Sequence, residues 1–294
     1  MKFSALMAAV LLTAVATGAQ AADTLAKIAA SGKITLAYRE SSVPFSYLDG
    51  PNKPIGFAVE LSNAVVDAVK KKLNKPNLEV ALMPVTSQNR IPLITNGTID
   101  LECGSTTNNT ARGKDVAFAV NHFYTGTRLL VKKSSHIKDY ADLKGKTIVS
   151  TTGTTNVLVM RKYNEEKKLG MDIVLAKDHD DSFLLVQSDR AAAFAMDDIL
   201  LFGLIANSKD PGDYEVVGEP LQVEPYACML PKDDPAFKKL VDDTFIGLMK
   251  SGEFEKMYTK WFMSPIPPKN TSLNLPMSPQ LKENLKAFSD KPAT

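Results

Sequence analysis

The 294 residues carry 35 Lys+Arg against 33 Asp+Glu, a net charge of +2, with three histidines and two cysteines. So even a balance excludes the basic face that nucleic acid requires, and 44% hydrophobic with 7% aromatic content is that of an ordinary globular protein. The length fits one large domain or two lobes of about 100–150 residues, and neither cysteine lies in a CxxC, so no metal-ligand cluster and no cofactor are expected.

Met1-Lys2 gives a short positive start, Phe3 to Thr17 is almost wholly apolar or small, and Ala19-Gln20-Ala21 has the small-x-small pattern that signal peptidase cuts. The apolar stretch is too short for the ~20 residues of a transmembrane helix. Residues 1–21 therefore read as a signal peptide cleaved near Ala21, leaving an exported, soluble chain with no cysteine at the cut to carry a lipid.

A short helix opened by Asp23 or Thr24 and closed by Gly32 precedes a first strand, Lys33 to Tyr38. Leu61, Ala64, Val65, Ala68, Val69 and Leu73 recur on one helix face, with Lys70-Lys71-Lys72 in its last turn. Leu78 to Met83 is a second strand, Asn89 to Asn96 a short helix, and Ile99 to Cys103 a third strand. This β-α-β-α-β order predicts a largely parallel sheet. The pattern then recurs: strand Lys146 to Ser150, helix from Gly153-Thr154-Thr155 to Lys168, strand Asp172 to Ala176, helix Ser182 to Gln187, strand Ala191 to Ala195. A helix capped by Asp197 or Asp198 and a strand from Glu215 to Val217 close the second array. Thr125 to Lys132 and Pro225 to Leu230 look like crossings between two similar lobes, an arrangement that builds a hinged cleft. Pro235 opens a long amphipathic helix, a further helix ends at Lys260-Trp261-Phe262, and a Pro-rich linker leads to a modest terminal helix.

Cys103 and Cys228 are permitted to pair in an oxidising compartment. A bond would close a loop of more than a hundred residues, worth up to ~4–5 kcal/mol in the chain-entropy model. Two separate buried thiols are the alternative, since sequence does not give the geometry.

Two polar runs, Thr86-Ser87-Gln88-Asn89-Arg90 and Cys103-Gly104-Ser105-Thr106-Thr107, follow buried strand-like segments. Ligands of open α/β sheets collect at such carboxyl ends, where helix N-termini present free N–H groups. Hydroxyls and one arginine there point to an oxyanion, most simply a carboxylate. Taken singly, the residues have plainer readings. Arg39 reads as a surface partner of Glu40, Ser87 as a helix N-cap, and Thr106, Asn108 and Asn109 as turn formers. His179 reads as part of a solvated stretch, Asp178-His179-Asp180-Asp181, and one of Asp197 and Asp198 as an N-cap. His122 and His136 read as structural or exposed, and Trp261 as packing the last helix onto the first lobe.

Together these motifs carry a resemblance. Tyr38-Arg39-Glu40-Ser41-Ser42-Val43-Pro44-Phe45-Ser46 and Gly56-Phe57-Ala58-Val59-Glu60-Leu61 resemble periplasmic amino-acid-binding proteins of ABC importers. The two polar runs, Lys177-Asp178-His179 and Met196-Asp197-Asp198 are similar to the glutamate/aspartate-binding branch, over nearly the whole mature chain. The resemblance implies an α/β, two-lobe periplasmic-binding-protein-like fold (type II) with two hinge strands and a ligand cleft between the lobes. It places lobe 1 at residues 22–127 and 225–294 and lobe 2 at residues 128–224. It implies Arg90 on the ligand α-carboxylate with Thr107 and Thr155, Ser105 and Asp197 on the α-ammonium, and Arg39, Ser87 and His179 around a side-chain carboxylate.

A charge count agrees with that implication. Glutamate or aspartate has two carboxylates and one ammonium, against Arg39, Arg90 and Asp197. Arginine meets a carboxylate with two parallel bonds, and a neutral amino acid would leave Arg39 buried without a counter-charge. The expected function is capture of L-glutamate or L-aspartate for an ABC permease at the inner membrane, by a periplasmic monomer with no catalytic residue. The rival is an exported dehydratase of the same fold acting on a cyclic carboxylate, with His179 or Asp197 as general acid. Against it stand the paired arginines and the lack of a spare carboxylic acid near the cleft motifs.

Overall fold

The computed structural model describes residues 23–294, so the expected signal peptide lies outside the described residues. In chain order, the first part comprises α1 (Thr24–Ser31), β1 (Lys33–Tyr38), β2 (Ser41–Ser42), β3 (Ser46–Leu48), β4 (Pro54–Ile55), α2 (Phe57–Leu73), β5 (Glu79–Pro84), α3 (Arg90–Thr95), β6 (Leu101–Glu102) and β7 (Val116–Phe118). After β8 (Phe123–Thr125) come β9 (Thr127–Lys132), β10 (Thr147–Thr151), α4 (Thr155–Lys167), β11 (Asp172–Ala176), α5 (His179–Gln187), β12 (Ala193–Asp197), α6 (Asp198–Asn207) and β13 (Tyr214–Val217). The return runs through β14 (Glu224–Tyr226), β15 (Met229–Pro231), α7 (Pro235–Ser251), α8 (Glu253–Tyr258) and α9 (Pro279–Ala287).

Local chemistry explains the boundaries. Asp23 caps α1 by accepting from the Ala26 N–H at 2.8 Å, and Gly32 ends it in the left-handed region. Asn74 ends α2 the same way, behind Lys70, Lys71 and Lys72, whose charges suit a helix C-terminus. The α2 face bearing Leu61, Val65 and Val69 is fully buried. Asp234 caps α7 through the Phe237 N–H, with Pro235 in its first turn.

Two five-stranded sheets form two lobes with matching topology: β5-β1-β6-β15-β7 and β11-β10-β12-β9-β13. In each, the first strand runs parallel to its two partners, β1 to β5 and β6, and β10 to β11 and β12. The fourth strand is antiparallel to both of its neighbours. Between the sheets, β8 and β14 pair antiparallel, with Thr125 opposite Glu224 and Phe123 opposite Tyr226. Phe123 and Tyr226 of this ribbon pack edge-on and stacked with Phe45, Phe57 and Phe262 in one aromatic cluster. Trp261 is buried edge-on against Tyr47.

Several sequence expectations shift. The single strand read over Thr125–Lys132 is two, β8 and β9, divided at Gly126, where a Cβ would sit 2.5 Å from the Gln222 carbonyl oxygen. The crossing read over Pro225–Leu230 is likewise divided, into β14 and β15. The strand expected over residues 99–103 shrinks to Leu101–Glu102, and the one expected over 191–195 lies at Ala193–Asp197. The strand before the first polar run is not buried: β5 is an edge strand, and Leu82 is half exposed because its outer face meets water. The helix expected to end at Phe262 gives way after Tyr258 to a π turn, Thr259–Met263. Cys103 and Cys228 form a disulfide, joining the end of β6 to the start of β15 within one lobe.

Candidate functional site

The polar residues singled out from the sequence lie at carboxyl ends of parallel strands. Arg39 follows β1, Ser87 and Arg90 follow β5, and Ser105 and Thr107 follow β6. From the other lobe, Thr155 opens α4 after β10, His179 opens α5 after β11, and Asp197 ends β12. Arg39, Ser87, Arg90, Ser105, Thr107, Thr155, His179 and Asp197 are all buried. They meet across a closed cleft: Arg39 Nη2 is 3.4 Å from His179 Nε2, and Thr107 Oγ1 is 3.4 Å from Thr155 Oγ1.

One end of the cleft is basic. Arg90 donates to the Ser105 carbonyl at 3.3 Å and lies 4.0 Å from Glu102. Among the described residues, Arg39 makes no ion pair, and Arg39 Nη1, Arg90 Nε and Ser87 Oγ have no hydrogen-bond partner. Burial, then the charge of Arg90, pulls Arg39 down to about 9. Such a guanidinium stands ready for a carboxylate. His179 is not in a solvated stretch as a single-residue reading suggests. Asp178 caps α5 through the Asp181 N–H, the helix begins at His179 rather than Ser182, and the ring turns inward. Because arginine can only donate, Nε2 accepts from Arg39 and the ring hydrogen sits on Nδ1, 2.9 Å from Thr151 Oγ1. Burial and the two arginines hold this imidazole well below its usual pKa, so it stays neutral.

The other end is acidic. Asp197 accepts from the Asn156 amide at 2.7 Å and from the Tyr226 hydroxyl, and burial followed by the charge of Glu224 pushes it up to about 8. Neither Asp197 nor Thr154 supplies a side-chain cap to the helix it precedes, so the first-turn N–H groups of α4 and α6 are not satisfied from those side chains. Ser105 donates to Ser42 Oγ at 3.1 Å. Ser87 is no N-cap either; Asn89 and Thr86 instead bond to each other's backbone N–H at 2.8 and 3.3 Å and set the turn.

Sequence reasoning missed four charged or phenolic groups: Glu102, Arg112, Glu224 and Tyr226. The expectation that no spare carboxylic acid lies near the cleft motifs is corrected, because Glu102 and Glu224 are both fully buried there. Glu102 accepts from Thr106 at 2.7 Å. Glu224 accepts from Thr155 at 2.6 Å and also from Thr107 and Gln222. Arg112 spans the cleft, donating to the Thr107 carbonyl at 3.0 Å and the Gly153 carbonyl at 3.2 Å. The one available signal was that Glu224-Pro225-Tyr226 puts Glu224 and Tyr226 on the same face of an extended strand.

The geometry can hold a molecule with anionic and cationic groups at opposite ends, and the relatives of this chain fit that chemistry. A glutamate/aspartate import solute-binding protein of Salmonella typhimurium is 56% identical over 275 residues, 93% of this chain and 91% of that protein. An L-glutamate/L-aspartate-binding protein of Pseudomonas aeruginosa is 51% identical over 291 residues, 99% and 96% of the two chains. Among solved structures, an ancestral amino-acid-binding protein, described as a precursor of cyclohexadienyl dehydratase, superposes with a TM-score of 0.68 at 26% identity, covering 81% of this chain and 99% of that one. The model of the bacterial extracellular solute-binding proteins, family 3, matches residues 34–264, and this chain belongs to that family.

Proposed function

We propose that the protein is a periplasmic solute-binding protein that captures L-glutamate and L-aspartate and delivers them to an ABC permease by hinged closure of its lobes. The observation that carries this reading is the buried, unpaired Arg39 beside Arg90, facing an acidic end built on Asp197. With Asp197 ionised against the ammonium of the ligand, two cations and a separate anion are the complement of an amino diacid. The identity to glutamate/aspartate-binding relatives over nearly the full chain supports it.

In this reading lobe 1 is residues 22–127 with 225–294, and lobe 2 is residues 128–224. Arg90, Thr107 and Thr155 at the open N-terminus of α4 meet the α-carboxylate. Asp197 and Ser105 meet the ammonium. Arg39, Ser87 and His179 surround the side-chain carboxylate. Ligand binds the open form and selects the closed one, because only there are charges from both lobes satisfied together. The permease then reads the closed pair of lobes. No bond is made or broken in the ligand, and the signal peptide is cleaved near Ala21 on export.

Calorimetric titration with the proteinogenic amino acids tests this. L-glutamate and L-aspartate should bind at least about a hundredfold tighter than L-glutamine, whose neutral amide leaves Arg39 uncompensated. Equal affinity for L-glutamine would defeat it. Incubation with prephenate or arogenate should leave either acid unchanged; an aromatic product would move the protein to the dehydratases.

A further inference from the structure

Helix α6 links the cleft to a contact far outside it. Asp197, on which the acidic end is built, immediately precedes the helix, which is 10 residues long and ends at Asn207. Midway along, Gly203 lies against the Val43 backbone of the other lobe. Beyond the last turn, buried Ser208 presents its backbone carbonyl, and Lys269 Nζ donates to it at 2.6 Å. Lys269 lies in the part of the chain that has returned to the first lobe. This bond therefore spans the lobes without passing through either hinge strand.

The segment that carries Lys269 is built as an arm. Pro265, Pro267 and Pro268 fix φ and lack an N–H, which stiffens the chain. Its base is held in the first lobe: Ile266 is buried, and its N–H donates to the Thr271 carbonyl at 3.1 Å. The Tyr47 hydroxyl donates to the Pro267 carbonyl at 2.7 Å. Around the arm the lobes are otherwise parted by a crevice of about 500 Å3, with Tyr47 and Pro268 on one side and Leu184 and Ser208 on the other. The lysine bridges that gap to a helix C-terminus, where the backbone dipole favours a cation. A ten-residue helix is about 15 Å long, so Lys269 is too far from Asp197 to touch a ligand in the cleft.

We propose that Lys269 is a latch on the closed form, fastening the C-terminal end of α6 to the first lobe whenever the cleft shuts. Ser208 moves with the second lobe and the arm with the first, so opening about the hinge strands draws the two apart. A contact made only in the closed form raises the affinity of every ligand that closes the cleft by the same factor. The inference rests on the hinged closure proposed above and goes beyond its ligand assignments. Lys269 acts through α6, so it is a positioning residue.

The test measures L-glutamate and L-aspartate binding by calorimetry, and melting with and without saturating L-glutamate, on wild type, Lys269→Met, Lys269→Arg and Lys209→Met. Lys269→Met should weaken both ligands alike, about three- to tenfold. Its ligand-free melting temperature should match wild type, while the rise on adding L-glutamate should shrink. Lys269→Arg keeps the charge and the donors and should recover most of the lost affinity. Lys209→Met removes the same charge from an exposed position one residue past Ser208 and should bind as wild type does. Unchanged affinity in Lys269→Met overturns the proposal, as do losses that differ between the two ligands. An equal loss in Lys209→Met would make the effect one of net charge, and an equal loss in Lys269→Arg would exclude the hydrogen bond; either overturns it. So does a melting temperature lowered equally with and without ligand, which would make the contact a tie held in both forms. Failure of the wild type to bind L-glutamate would instead remove the amino-acid-binding reading itself.

Discussion

The two ends of the cleft handle buried charge in opposite ways. At the acidic end Asp197, Glu224 and Tyr226 are interlocked with Asn156, Thr107, Thr155 and Gln222, so their hydrogen-bonding capacity is largely met from within. At the basic end the Arg39 guanidinium has only the neutral His179 ring within hydrogen-bond distance among the described residues, and Arg39 Nη1, Arg90 Nε and Ser87 Oγ lack partners there. An interlocked end sets polarity without waiting for a ligand. An end with unmet donors would make the ligand part of the charge balance, and the proposed reading puts selectivity for a second carboxylate there.

Four changes break or sharpen this contrast. Arg90→Ala removes the second guanidinium of the basic end and leaves Glu102 buried without its ion-pair partner. Binding of every amino acid should fall about a hundredfold to a few thousandfold, in line with roughly 3–5 kcal/mol for breaking a buried pair; calorimetry reads this directly, and retained affinity takes Arg90 out of the site. Arg39→Met should have two effects of opposite sign. Affinity for L-glutamate should drop about a hundredfold, with any residual L-glutamine binding spared, while the ligand-free protein should melt higher because an unpaired buried charge is gone. Equal losses for both ligands would end the assignment of a side-chain carboxylate to this end.

Gly203→Ala probes closure without touching either end. A Cβ on this α6 residue would lie 2.4 Å from the carbonyl oxygen of Val43 in the other lobe, while alanine suits a helix better than glycine. All ligands should weaken alike, about tenfold, with no loss of helical content by circular dichroism; ligand-selective weakening would show that the contact is not simply a closure contact.

The smallest effect is on pH. Asp197 faces Tyr226 on β14 and Asn156 on α4, with Glu224 and Asp198 adding negative charge. Arg90 and Arg112 supply positive charge nearby. Its folded pKa of about 8 lies above the ordinary carboxylate value of 3.8, so the folded state binds the proton more tightly than the unfolded one. That contribution is full below pH ~4 and is lost as pH climbs through 8. Melting temperatures of ligand-free protein should decline across this window, and less steeply in Asp197→Asn; an identical slope would place the titration elsewhere.

Much of the basic end was legible because its residues sit just past strand ends, and strand ends are local features. Arg90 in Ser87-Gln88-Asn89-Arg90 announces itself in a way that Glu224 does not. The sequence reads a crossing only from Pro225 to Leu230, and the face that Glu224, just before it, turns inward is fixed by pairing with β8 and by the threonines it meets from both lobes. Those partners are 117 and 69 residues away in sequence. His179 shows the same limit: three neighbouring aspartates suggest water, but Asp178 starts the helix and turns the histidine in. Arg112 went unread in the sequence because its carbonyl partners, one in each lobe, are brought together only by the fold.

The bond between Cys103 and Cys228 alters how the chain carries tension. A pull on the two ends of the described chain runs from residue 23 to Cys103, across the sulfurs, and from Cys228 to residue 294. Everything between, including β10, β11, β12 and the α4 terminus, lies outside the line of force. A tether at either terminus can therefore load the first lobe while the second swings unstretched, and reduction of that single bond would reroute the force through the hinge.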